Sequence, residues 1–371
     1  MADSGLAYTV VGISEASLAV AVELRLRGRP VILTDRPERK SAVEALATRP
    51  ALRLRSDVPV TGFSGEERVV EGIEITLDIG DAIRRADVVI VMVQPNFQEA
   101  LLEAFAGCLR NEQILLLCPG GLGGSLLASR LAAAQGASSI LIGQAAATPH
   151  AARLEDAGAT LRITGKKKRL PVGVYPAGRT EEMLGHLGID FPQFTASRDI
   201  IENGLARAGL GLHPVPMIMN ASRIESDGGY IYDGYDITPS IAAVIDAVDA
   251  ERQDILRAFG ATLNSFSDIL KQSYGVEGDT FYDVVHNVGS YKQAKSPPDL
   301  NYRYLSEDVP TQVVPAASLG RALGLATPML DAVIAFANAM HGVDYRQIGW
   351  NLEKLGLAGK SVDEIMSLVR G

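Results

Sequence analysis

The N-terminal half of this chain repeats one pattern: a short, continuously apolar run followed by a helical stretch. "AYTVVG" precedes "EASLAVAVELRLRG", which closes at Gly28, and "PVILTD" comes next; "ADVVIVMV" and "QILLLC" are each followed by a helical pattern, "FQEALLEAFAGCL" and "SLLASRLAAA". A strand that is apolar at every position must be buried on both faces. Parallel sheets covered by crossover helices provide that environment. The pattern predicts an α/β, Rossmann-type doubly wound sheet domain over residues 1–196. Beyond it the alternation stops: "SIAAVIDAVDAERQDILRAFG", "ASLGRALGLATPMLDAVIAFANAMHG" and "SVDEIMSLVRG" keep helical spacing, which predicts an all-α domain over 197–371. Two domains also suit a chain of 371 residues, which is longer than one ordinary core supports. The junction between them is the expected cleft.

Composition narrows the function classes. With 47% hydrophobic and 21% charged residues the chain is globular. Its net charge of −9 argues against a nucleic-acid partner, which needs a basic footprint. The cationic run Lys166-Lys167-Lys168-Arg169 lies between "LRIT" and "LPVGVYP" and reads as a solvated hairpin turn. The start, "MADSGLAYTVVG", shows no basic region, apolar core or cleavage site. No apolar stretch reaches the roughly 18–20 residues of a membrane span. Cys108 and Cys118 are too few for a disulfide framework and suggest a reducing compartment, with Cys118 acting as a small buried hydrophobe. The expectation is a cytoplasmic protein whose partners are small molecules, with no nucleic acid, no membrane, and a homodimer left open.

The turn after the first strand run is "GISEAS". A dinucleotide fold uses G-x-G-x-x-G here, for a tight turn, close approach to the pyrophosphate and close helix packing. Gly12 keeps the first position, while Ser14 and Ser17 occupy the other two. Asp35 ends the next strand run, where an acid can accept the adenosine ribose hydroxyls of NAD. Arg36, Arg39 and Lys40 follow at once and could hold the 2′-phosphate of NADP instead, so both cofactors stay open. In "CPGGLGGSLL", Gly120, Gly121, Gly123 and Gly124 would let backbone pass close to a ligand at the carboxyl edge of the sheet.

In the second half, "HPVPMIMNASRIE", "YDITPSIAAVIDAVDAERQDI", "RYLSEDVP" and "LGLATPMLDAVI" follow one another in order. With these motifs the chain resembles the octopine/nopaline (opine) dehydrogenase family. The resemblance implies an NAD(P)-dependent oxidoreductase that joins the amino group of an amino acid to a 2-oxo acid and reduces the imine to a secondary amine dicarboxylate, or runs the reverse oxidation. It implies that His213 is the catalytic histidine, Asp308 its paired acid, and Arg303 the substrate-binding arginine.

The chemistry of these residue types agrees. Reduction of C=N or C=O needs a proton donor that titrates near working pH, and imidazole suits it. A carboxylate fixes the imidazole tautomer, and a planar guanidinium matches a 2-oxo acid's carboxylate. Pro214 is expected to hold His213 in extended or turn geometry. Of the other histidines, His150 lies near the sheet edge and within reach of a site there; His186, His286 and His341 read as surface or helix residues. None has metal-ligand spacing, so no metal is expected. Before the histidine the chain carries Arg207 and Gly209 where the family pattern leads to an asparagine. The competing readings are a 2-oxo or 2-hydroxy acid oxidoreductase without amine condensation, and a non-redox binding protein on a degenerate dehydrogenase scaffold.

Overall fold

The structure, a computed structural model, describes residues 5–49, 51–227, 237–293 and 297–371. Residues 1–4 of the N-terminal stretch, and Tyr235 and Asp236 at the head of the second motif, lie outside the described residues. The chain forms two compact units. The first comprises Met1–Gly120, Gly124–Ile200 and Arg370–Gly371; the second comprises Gly121–Gly123 and Ile201–Val369.

Among its described residues the first unit holds twelve strands: β1 (Tyr8–Val11), β2 (Val31–Thr34), β3 (Ala51–Val60), β4 (Phe63–Glu71), β5 (Ile73–Ile75), β6 (Val88–Val91), β7 (Ile114–Leu117), β8 (Leu141–Ala145), β9 (His150–Glu155), β10 (Thr160–Lys166), β11 (Leu170–Tyr175) and β12 (Phe194–Ala196). Eight of them make one sheet in the order β12-β11-β8-β7-β6-β1-β2-β5. From β5 to β8 it is parallel, as the apolar runs predict, and β11 pairs antiparallel with β8. The order reverses between β1 and β6. That switch point is where open α/β sheets bind ligands.

The other four strands form a second sheet, β4-β3-β10-β9. Its strands alternate, with Leu52, Leu54 and Val60 of β3 buried and Arg53 and Asp57 exposed. The helix Glu15–Leu26 shares one core with both sheets, in which Leu18, Val20 and Leu24 pack with Val10, Leu33, Leu52 and Leu161. This explains why Ser17 to Leu24 are buried without a break. Glu23, inside that run, must therefore find partners. Its Oε2 lies 2.7 Å from His150 Nε2, and its Oε1 accepts from Lys166 Nζ at 2.5 Å and Arg27 Nη2 at 3.0 Å.

Two expectations are corrected here. Lys166–Arg169 do not turn a hairpin, because β10 belongs to the second sheet and β11 to the first. Nor is the run wholly solvated, since Lys166 reaches inward to Glu23. His150 is likewise removed from any site at the sheet edge: its side chain is buried against Glu23.

The regular elements among the described residues of the second unit are helices, and its motif "AVDAERQDI" works as a set of fasteners. The helix Pro239–Ala258 starts at Thr238, whose hydroxyl accepts from Ile241 N–H. Within it Arg252, fully buried, donates to Asp249 at 2.7 Å and to the Leu205 carbonyl at 2.8 Å, and its guanidinium lies 4.7 Å from the Phe266 ring centre. Glu251 accepts from the Met329 and Leu330 N–H groups at 2.7 and 2.9 Å, capping the helix Pro328–His341. Removing one partner of a buried pair such as Asp249–Arg252 costs about 3–5 kcal/mol. No helix among the described residues is long and apolar enough to cross a membrane.

Candidate active site

At the switch point of the first unit, Gly12 adopts φ +115°, and a Cβ there would lie 2.7 Å from the Met92 carbonyl oxygen. Glycine is required twice over, by conformation and by space. Ser14 is the N-cap of the helix Glu15–Leu26 and forms a reciprocal capping box with Ser17. Ser14 N–H donates to Ser17 Oγ at 2.7 Å, and the Ser17 hydroxyl donates to the Ser14 carbonyl at 2.8 Å. Ser17 is buried, so its proton stays within the cap, contrary to a role for it on phosphate. Ser14 is part-exposed at the helix mouth, beside the N–H groups of Glu15 and Ala16, which helix geometry leaves without intrahelical acceptors.

Asp35 holds this turn in place. One carboxylate oxygen accepts from Ile13 N–H and the other from Arg36 N–H, each at 2.7 Å. The Arg36 guanidinium lies over the Phe97 ring at 4.0 Å, and Arg39 Nε is 3.8 Å from Asp35. The glycines after β7 have a different use from the one expected. A Cβ on Gly120 would meet the Gln144 side chain at 2.5 Å, and one on Gly121 would meet the Trp350 ring at 2.4 Å. Gly123, at φ +94°, faces Leu355 in the same way. The close approach that glycine allows is filled by the protein's own side chains.

The second unit brings His213, Asp308 and Arg303 together. His213 joins the short helices Gly209–Leu212 and Pro214–Met219 with φ −95° and ψ −60°. This corrects the expectation of extended geometry before Pro214. The proline's preference is overruled by helical bonding on both sides, from His213 N–H to the Gly209 carbonyl and from Met217 N–H to the His213 carbonyl, each at 3.4 Å. His213 Nδ1 lies 2.7 Å from Asp308 Oδ2, and the Asp308 side chain is fully buried. An ionised carboxylate only accepts, so Nδ1–H donates and Nε2 is left for other work. The Tyr304 ring stacks on the imidazole at 3.9 Å and 11°. Gly209 makes the room: a Cβ there would sit 3.0 Å from His213 Cε1 and Nδ1.

Arg303 opens the helical turn Arg303–Ser306 and is part-exposed, with Nε 3.4 Å from Glu307. Immediately after it, Val309–Val313 is a π-helical segment, a feature that often marks functional sites. Sequence reading passed over Tyr304 and Glu307, which lie between the recognised residues of "RYLSEDVP". It passed over the work of Arg207 and Gly209 too. Arg207 Nη2 lies 3.8 Å from Glu307, and turning over the Gln312 amide lets its oxygen accept from Arg207 Nη1 at 2.9 Å. Of the remaining histidines, His286 bonds the Tyr282 carbonyl, and His341 bonds Tyr345 and the Leu300 carbonyl.

Comparison with known proteins bears on this arrangement. Residues 196–341 match the family model described as NAD/NADP octopine/nopaline dehydrogenase, alpha-helical domain. An opine dehydrogenase of Arthrobacter sp. (strain 1C) is 30% identical over 362 residues, covering 98% of each chain. An opine dehydrogenase of Haliotis discus hannai is 25% identical over 325 residues, covering 77% of this chain and 79% of its own. Among solved structures, an octopine dehydrogenase with NADH and L-arginine superposes with a TM-score of 0.78 at 20% identity, over 99% of this chain and 98% of that one. A yersinopine dehydrogenase with NADP+ bound gives 0.77 at 14% identity, over 98% of each.

Proposed function

The chain belongs to the octopine/nopaline (opine) dehydrogenase family, and from that premise we propose how its residues divide the reaction. It is an NAD(P)-dependent oxidoreductase acting on CH–NH bonds, condensing an amino acid with a 2-oxo acid and reducing the product. In the condensation the amine nitrogen adds to the keto carbon and water leaves. The imine carbon then takes a hydride and the nitrogen takes a proton. Bound NADH or NADPH supplies the hydride.

The observation that carries the division of labour is the 2.7 Å contact between His213 Nδ1 and Asp308. With Nδ1–H committed to the carboxylate, Nε2 of neutral His213 accepts the proton lost as the amine attacks. The imidazolium so formed, stabilised by the buried Asp308, returns that proton to the keto oxygen; the same relay then passes the amine's second proton to the resulting hydroxyl, which leaves as water. Arg303, gripped at its Nε side by Glu307, offers its terminal nitrogens to the oxo acid's carboxylate. On the first unit, the Gly12 turn fits a dinucleotide: a glycine-only backbone, uncapped first-turn N–H groups and an acid at the end of β2 stand at the switch point. Gly12, Ser14, Asp35 and Arg36 would hold the cofactor there. The two cysteines, neither in a disulfide, favour a reducing, cytoplasmic setting.

The test is a matrix of amino acids against 2-oxo acids, with NADH and NADPH in turn, read as loss of reduced nicotinamide. Consumption should need both organic substrates. Consumption with an oxo acid alone, unaffected by any amine, would refute amine condensation as this protein's reaction.

A further inference from the structure

Glu307 is buried one residue before Asp308, yet it is treated unlike the other buried acids of this protein. Glu23 accepts from Lys166 and Arg27, Asp190 from Tyr8 and Arg29, and Asp249 from Arg252 and Phe266 N–H. Those carboxylates fasten the fold. Neither oxygen of Glu307 has a hydrogen-bond partner among the described residues. Instead Oε2 lies 3.4 Å from Arg303 Nε and Oε1 lies 3.8 Å from Arg207 Nη2. A carboxylate buried in this way is expensive to keep ionised. Its place beside the guanidinium that would receive the substrate's carboxylate gives that expense a use.

We propose that Glu307 is the positioning residue of the oxo-acid site: it holds Arg303 by the Nε edge and, whenever it is ionised, weakens that arginine's hold on the substrate carboxylate. This rests on the reading of Arg303 as the oxo acid's partner. The charged groups acting on Glu307 are Asp308 on its own segment, Arg303 one helical turn before it, and Arg207 from the loop that precedes His213. Burial first, and then the Asp308 charge, push the Glu307 carboxyl up to about 7, against the pull of Arg303 and Arg207. Its charge therefore changes within the range where an enzyme works. Below that point Glu307 is neutral and the Arg303 charge is fully available to the substrate. Above it two carboxylates compete for one guanidinium, so affinity for the oxo acid falls as pH rises.

The experiment measures pyruvate binding by calorimetry, with the oxidised nucleotide saturating, between about pH 6 and 8.5. It is run in the His213→Asn protein, where the imidazole beside the oxo-acid site is gone and pyruvate itself stays ionised. The dissociation constant should rise about tenfold across the range, equivalent to a one-unit shift of Glu307 on binding. In His213→Asn/Glu307→Gln it should be flat and stay at the tight, low-pH value. A merely structural Glu307 would weaken binding equally at every pH. A slope that survives in the double variant overturns the proposal. So does a flat profile in His213→Asn alone, which needs no Glu307 variant to fold. If wild type binds pyruvate at no pH, or Arg303→Lys binds it as well as wild type does, the oxo-acid reading itself falls.

Discussion

Asp308→Asn keeps the shape of the side chain beside His213 and removes only its charge. The Nδ1–Oδ2 contact is 2.7 Å, Asp308 is fully buried, and the imidazole is 23% exposed. Charge centres of such a pair stand about 4 Å apart, and at an effective dielectric of ~20 their attraction is about 4 kcal/mol. The amide retains a neutral hydrogen bond of about 1 kcal/mol, leaving about 3 kcal/mol of imidazolium stabilisation to be lost. At 1.36 kcal/mol per decade this is a fall in kcat of roughly 100- to 1,000-fold. Removing that charge also takes away one of the two pushes that keep Glu307 neutral, so KM for the oxo acid should rise by up to about tenfold at neutral pH, while nucleotide affinity should not change. Initial rates with both organic substrates varied separately give the kcat and KM split, and a thermal melt checks that the protein is folded. A folded Asp308→Asn protein whose kcat falls less than tenfold would refute the assignment of Asp308 as the group that stabilises charged His213.

Further expectations follow from the same geometry. Gly209→Ala puts a Cβ 3.0 Å from His213 Cε1 and Nδ1, so the ring must shift by a few tenths of an ångström; kcat should drop about tenfold with an unchanged melting temperature, and an unchanged kcat would show the ring tolerates displacement. Ser17→Ala should lower unfolding free energy by about 1–2 kcal/mol with nucleotide affinity nearly constant, whereas Ser14→Ala should weaken NADH or NADPH binding about tenfold in titration calorimetry. The reverse pattern would put Ser17 rather than Ser14 on the phosphates. Burial alone raises the Glu23 carboxyl, but hydrogen bonds with His150 and Lys166 outweigh it and bring it to about 2. A depressed carboxyl stabilises the fold fully above its unfolded value of 4.5, and that contribution is lost as pH falls towards about 2. Denaturant melts should therefore show about 3 kcal/mol lost across that window in wild type. Glu23→Gln, less stable at neutral pH, should lose far less there, and an equal loss would mean other acids carry the acid sensitivity.

What the sequence disclosed, and what it hid, depends on whether a residue's purpose is local. Four apolar strand runs were legible because burial on both faces dictates every position of β1, β2, β6 and β7. The second sheet was not, since β3 alternates leucines with arginines and takes its partner β10 from a hundred residues away. The serines at positions 14 and 17 look like damage to a phosphate-binding turn when only the spacing of glycines is considered. In three dimensions they are a helix cap that replaces one device for ending a turn with another. Glycine itself carries no label: Gly12 serves the backbone of the switch-point turn, Gly121 admits a tryptophan ring, and Gly209 clears space for an imidazole. The His213–Asp308 pair was legible only through the ordered motifs, because the two are 95 residues apart and no local rule joins them. Between the recognised residues of "RYLSEDVP", helical spacing does the rest. Arg303 and Glu307 are four residues apart and meet on one face, while Asp308, one step further round, meets His213 instead. A run of two acids in sequence usually marks a solvated face. Here the helix turns one carboxylate towards His213 and the other towards Arg303, so adjacent residues of like charge take separate duties.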